Sequence, residues 1–103
     1  MTRRFGLHPD ARRFDLVAAL AYYDKIDADL GNRFLDDYQD CLDFVERYPL
    51  AGRILFGEYR RRAFSRFPYL LVYTATDEQI RVLGLLHARR DPASIQSQIL
   101  HRR

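Results

Sequence analysis

The stretch RFPYLLVYTATDEQIRVLGLLHARRDP, Arg66 to Pro92, decides the fold. Tyr69–Thr76 (YLLVYTAT) is rich in aromatic and β-branched residues and reads as a strand. Ile80–His87 (IRVLGLLH) reads as the next one. The polar Asp77-Glu78-Gln79 between them is a turn, which makes the two strands antiparallel neighbours. Both runs are apolar at odd and even positions alike. Such strands are covered on both faces, or one face awaits a partner. Asp91-Pro92 then opens a short last helix, with Ile95, Ile99 and Leu100 as its apolar contacts.

Working outward, Ile54–Phe64 reads as a further strand with Gly57 inside it as a turn or bulge, and Pro68 marks a strand start or an edge. Upstream the period becomes helical. From Ala11 to Lys25, Phe14, Val17, Ala18, Ala21 and Tyr22 recur at i, i+3, i+4, i+7 and i+8, with Leu16, Leu20 and Tyr23 on a neighbouring stripe. Asp10 is the expected N-cap. Residues 27–32 break and restart the helix. A second helix runs from about Asp29 to Arg47, carrying Phe34, Tyr38, Cys41, Val45 and Tyr48 on one face. Asp36, Asp37, Asp40 and Asp43 are expected on the opposite, wet face, and Pro49 stops the helix. A short break between two helices predicts an antiparallel helical hairpin. Arg3–His8, with Phe5 and Leu7 alternating, reads as an edge strand. The order β-α-α-β-β-β-α predicts a small α+β fold, an antiparallel sheet packed against an N-terminal helical hairpin.

With 103 residues, 48% of them hydrophobic and 30% charged, the chain reads as one globular domain spanning 1–103. One cysteine, Cys41, excludes an intrachain disulfide, and with three scattered histidines it argues against a zinc site, so neither a metal nor a cofactor is expected. No apolar run suits a signal peptide or a spanning helix, which places the expected location in the cytoplasm, away from membranes. Charge is uneven. Residues 1–52 carry seven basic and ten acidic side chains, whereas residues 53–103 carry ten arginines against four acids, a net +6.

Two constellations suit chemistry or binding. Arg60 and Arg62 share one face of a strand, Arg61 points to the other, and Arg66 joins the Arg60/Arg62 side if the strand is regular. That row suits a polyanion or an acidic partner segment, or is simply a solvated strand face. His87 ends a buried strand and is followed by Arg89 and Arg90. A histidine beside guanidinium groups suits acid–base cleavage of RNA; a neutral histidine bonded to backbone is the plainer alternative. Phe67, Tyr69 and Tyr73 near the arginines can stack bases, although such rings more often fill a core or an interface.

Several of these segments together resemble the RelE/ParE superfamily of bacterial toxins, and within it ParE. They are His8-Pro9-Asp10-Ala11, Tyr22-Tyr23, Arg33-Phe34, and Tyr48-Pro49 with Gly52. The set continues with Arg60-Arg61-Arg62, Arg66-Phe67-Pro68-Tyr69 with Leu70-Leu71-Val72-Tyr73, and His87-Ala88-Arg89-Arg90-Asp91-Pro92. The resemblance implies the toxin half of a type II toxin–antitoxin module, neutralised by a cognate, ParD-like antitoxin whose disordered tail folds onto it. ParE-like toxins inhibit DNA gyrase and block replication without a catalytic activity of their own. RelE-like relatives cut mRNA in the ribosome. On the gyrase reading, the target-binding residues are Arg60, Arg62, Arg66, His87, Arg89 and Arg90. Antitoxin contacts are then expected at Arg60, Arg62, Tyr22, Tyr38 and Tyr69. On the nuclease reading, Glu58, Arg62, Arg66 and His87 form the catalytic set.

Overall fold

The computed structural model describes residues 3–103. Its elements are β1 (Arg4–Leu7), a π-helical segment (Ala11–Leu16) running into α1 (Val17–Ile26), α2 (Ala28–Arg47), β2 (Arg53–Phe56), β3 (Tyr59–Ala63), β4 (Tyr69–Ala75), β5 (Gln79–His87) and α3 (Pro92–Arg102). Among the described residues, five strands form one sheet in the order β1-β5-β4-β3-β2.

The strands β2 to β5 form an antiparallel meander, as the alternation of strands and turns predicts. Gly57 is the turn, at φ 52°, and it divides the expected Ile54–Phe64 strand into the hairpin β2–β3. The second half therefore has four strands where three were expected. The edge strand β1 pairs parallel to β5, with Phe5 opposite Ile80 and Leu7 opposite Val82. The sheet is thus mixed rather than antiparallel throughout. A parallel neighbour needs a long crossover, which the helical hairpin and the meander between β1 and β5 supply.

Both faces of β4 and β5 are covered. One carries Leu71, Tyr73, Ile80, Val82 and Leu85, packed with Phe34, Tyr38, Cys41 and Val45 of α2. The other carries Val72, Leu83 and Leu86 under Ile95 and Ile99 of α3. This double cover explains why the two strands carry apolar residues on both faces. Asp91 caps α3, its carboxylate accepting the Ser94 N–H at 3.1 Å, and Pro92 follows it as expected.

The helix reading needs two corrections. Asp10 does not cap through its side chain; its backbone is already helical (φ −72°, ψ −31°), whereas a capping residue needs extended geometry. Instead the imidazole Nδ1 of His8 accepts the Asp10 N–H at 3.0 Å. The buried stripe of the first helix is also different. Phe14, Val17 and Tyr22 are 57%, 56% and 61% exposed, while Ala11 and Ala19 are buried and Leu16 and Tyr23 pack on the core. The π turn holds one more residue than an α turn, and one residue rotates a helical stripe by about 100°.

In α2 the amphipathic reading departs at Tyr48, which lies just past the helix and is 51% exposed, and at Asp37, which is buried. Its position is three after Phe34 and four before Cys41, on the apolar stripe itself. Its carboxylate accepts the backbone N–H groups of Ser65 (3.2 Å), Arg66 (2.9 Å) and Phe67 (2.9 Å). One side chain thereby fixes the turn between β3 and β4 and sets the start of the Phe67-Pro68-Tyr69 run.

Candidate functional site

The Asp37-held turn delivers Phe67 into the core, where its ring meets Phe34 at 5.3 Å and Tyr23 at 4.8 Å. Tyr69 then starts β4 directly opposite His87 at the end of β5, with the two rings edge-on at 5.3 Å. The Pro68 carbonyl accepts the Ala88 N–H at 2.8 Å. The phenylalanine-proline-tyrosine and histidine-to-proline segments, far apart in sequence, are therefore one corner of the molecule.

Helix α1 stands beside that corner and leaves a cleft of about 520 Å³. Tyr22, Tyr23, Ile26, Pro68, Tyr69, His87 and Arg89 line it. An adjoining hollow of about 330 Å³ shares Tyr22, Tyr69 and His87 and adds Phe14, Ala18 and Arg90. The outer stripe of the first helix supplies the apolar wall: Phe14, Tyr22 and Ile26, each more than half exposed. Exposed apolar side chains spread over about three helical turns and rimmed by arginines mark an interaction surface. Burial pushes the Tyr69 phenol above its ordinary value, so it stays protonated and neutral at physiological pH.

His87 is bonded to the backbone of the turn that follows it. Its Nδ1 accepts the Arg89 backbone N–H at 3.1 Å, and its carbonyl accepts the Arg90 N–H at 3.0 Å. A backbone amide can only donate, so Nδ1 is the acceptor in this contact. This is the backbone-bonded histidine of the plainer reading.

Tyr22, Tyr69, His87, Arg89 and Arg90 therefore converge. The other expected site residues lie elsewhere. Arg60 donates Nη1 to the carbonyls of Leu50 (3.2 Å) and Gly52 (2.9 Å). The Arg62 guanidinium sits 3.7 Å over the Phe44 ring of α2. Both arginines are spent on holding β3 to its neighbours, so the free row of strand arginines is not formed. Arg66 is exposed, but β3 ends at Ala63, so Arg66 belongs to the turn and not to the strand face. Tyr38 is buried at 8% exposure and faces the core ring of Phe64, so it offers a partner no surface. Glu58 lies in the β2–β3 turn, level with the Ala75 end of β4, whereas His87 is level with Tyr69. Six residues of strand put them about 20 Å apart.

Sequence reasoning missed Phe14 and Ile26 as surface. It also missed a buried ion pair behind the cleft. The Arg102 guanidinium of α3 meets the Asp15 carboxylate through two bonds, Nη2 to Oδ1 being 2.9 Å, with side-chain exposures of 8% and 7%. Asp15 also accepts the Leu85 N–H at 2.9 Å, and Arg102 donates to the Leu83 carbonyl at 3.1 Å. Gly84 makes room: a Cβ there would lie 2.9 Å from Ile99 Cδ1 and 3.4 Å from Arg102 Nη1. The only sequence signal is an acid in an otherwise apolar helical segment.

The family model for "ParE toxin of type II toxin-antitoxin system, parDE" matches residues 15–92, from the start of the cleft's helix wall through His87 to the α3 cap. The chain belongs to the ParE toxin family. It is 30% identical over 100 residues to Toxin ParE2 of Mycobacterium tuberculosis, in strains CDC 1551 / Oshkosh and ATCC 25618 / H37Rv, covering 96% of this chain and 94% of the relative. The ParE fold is matched by a solved structure, "Chromosomal ParDE TA system from P. aeruginosa". The TM-score is 0.75 over 85% of this chain and 98% of that one, at 15% identity. Membership in the ParE family of type II systems implies an antitoxin partner. Among the described residues no helix is long and apolar enough to cross a membrane.

Proposed function

We propose that the chain is a cytoplasmic toxin that inhibits DNA gyrase as a binding protein and is neutralised by a ParD-like antitoxin seated along the cleft. The observation that carries the reading is the exposed Phe14–Tyr22–Ile26 wall facing Tyr69, His87, Arg89 and Arg90. Such a wall fits an amphipathic helix whose apolar face enters the cleft and whose acidic residues meet Arg89 and Arg90. The antitoxin thereby covers the residues assigned to the target, His87, Arg89 and Arg90, and neutralises by occlusion.

The ribonuclease reading has less support. The Nδ1 of His87 is engaged by the Arg89 N–H and is not free to take a substrate proton. Glu58, Arg62 and Arg66 do not gather around it. The test is a supercoiling assay with purified gyrase. The toxin inhibits, added antitoxin restores activity, and no codon-phased mRNA cleavage appears during translation. Unimpaired gyrase at a large toxin excess overturns the proposal.

A further inference from the structure

Face on, the α3 side of the sheet carries an arginine diagonal. Arg53 of β2 stands directly opposite Arg61 of β3, and Arg61 opposite Val72 of β4. Val72 belongs to the core under α3, which fixes the face. Two residues along β4, Thr74 opposes Arg81 of β5, which in turn opposes Gly6 of β1. Arg4, two residues before Gly6, shares that face. The four arginines thus cross from one sheet edge to the other, about 19 Å over four interstrand spacings.

These charges are uncompensated. The ion pairs among the described residues are Asp29–Arg33 and Asp15–Arg102, so none of the four has a carboxylate partner. Arg53 and Arg61 are like charges directly across a ladder, an arrangement that costs stability in the free protein. Arg4 and Arg53 are exposed and Arg61 and Arg81 half-buried. Arg60 and Arg62 on the opposite face are engaged with carbonyls and a ring, so the sheet separates structural arginines from free ones.

We infer that this face is a contact surface for the phosphodiester backbone of nucleic acid. Guanidinium forks bind phosphate oxygens in pairs, and all four side chains are arginine. Duplex DNA supplies a continuous phosphate track that matches a row without fixed register. An acidic peptide added to a sheet needs pockets for alternate side chains, and the residues between the arginines offer none: Tyr59 is buried and Thr74 is small. The contact reads no sequence. It lies on the face away from the helical hairpin and is independent of the gyrase reading.

The test is fluorescence anisotropy of a labelled DNA duplex with the purified chain across a salt series. The logarithm of affinity falls with the logarithm of salt concentration at a slope of about −3, from three to four neutralised phosphates. R53Q/R61Q lowers that slope by about 2 and weakens binding at low salt about tenfold or more. R12Q/R13Q, which removes equal charge beside the first helix, leaves the slope unchanged, and R53Q/R61Q binds antitoxin like the parent. Three results overturn the inference. One is no salt-dependent binding by the parent chain. Another is equal loss in both double variants, which reports bulk charge. The third is loss of antitoxin binding in R53Q/R61Q with duplex binding kept, which makes the face an acidic-peptide site.

Discussion

Replacing Arg102 by methionine tests whether α3 is locked to the cleft's helix wall by a buried charge pair. The substitution keeps the apolar stem and removes the guanidinium that bonds both oxygens of Asp15 and the Leu83 carbonyl. Asp15 is then left at 7% exposure with one donor, the Leu85 N–H. Stranding one member of a buried pair costs about 3–5 kcal/mol. Arg102 lies in the last turn of α3, so fraying admits water and places the loss near 3 kcal/mol, the lower end of that range. At roughly 4–8 °C per kcal/mol for a domain of this size, the melting temperature falls by about 12 °C or more. Urea denaturation followed by circular dichroism measures it, in a cycle with D15L and D15L/R102M. The double variant leaves no stranded charge, only the Leu85 N–H and the Leu83 carbonyl, so it is more stable than the sum of the singles predicts. The coupling expected is about 2 kcal/mol or more. A single variant within about 1 kcal/mol of the parent, or a cycle additive to about 0.5 kcal/mol, refutes the reasoning.

Asp37→Ala strands three backbone donors and is expected to cost about 2–4 kcal/mol, read by the same denaturation; a loss under 1 kcal/mol means water replaces the carboxylate easily. Tyr22→Glu puts a charge on the cleft's apolar wall and is expected to weaken antitoxin binding by about a hundredfold by calorimetry while leaving the fold intact; unchanged affinity places the antitoxin elsewhere. His87→Gln is expected to retain gyrase inhibition within about tenfold, because Gln also accepts the Arg89 N–H; complete loss restores a chemical role to the imidazole. Burial pushes the Cys41 thiol up to about 12, so it resists alkylation in the native state. The unfolded thiol ionises near 9.0, so this contribution to stability is whole below that pH and is lost as pH rises toward 12. Fast alkylation of folded protein at pH 8 refutes the burial.

The helix pair, the β4–β5 hairpin and the Asp91-Pro92 start of α3 were legible because each rests on short-range physics. These are a period of 3.6, a run of β-formers around a polar turn, and a capping side chain three residues from its amide. The hairpin β2–β3 was half legible: Gly57 showed as a turn or bulge, but two four- or five-residue strands resemble one longer strand until they pair. Of the residues named from the sequence, Tyr22, Tyr69, His87, Arg89 and Arg90 line the cleft, whereas Arg60, Arg62 and Tyr38 make packing contacts away from it. Whether an arginine is free depends on which carbonyl or ring lies opposite, and that is set by strand register.

By itself the amino-acid order determined which segments are helix or strand, the α+β class, the family resemblance and the basic second half. The tertiary structure alone decided the phase of the first helix, because the π turn is stabilised by placing Asp15 against Arg102, 87 residues away. It alone set β1 parallel to β5 and turned Asp37 inward onto a turn 28 to 30 residues distant. These are non-local pairings. Their free energy comes from groups that share no neighbourhood in the chain, so no local pattern carries it.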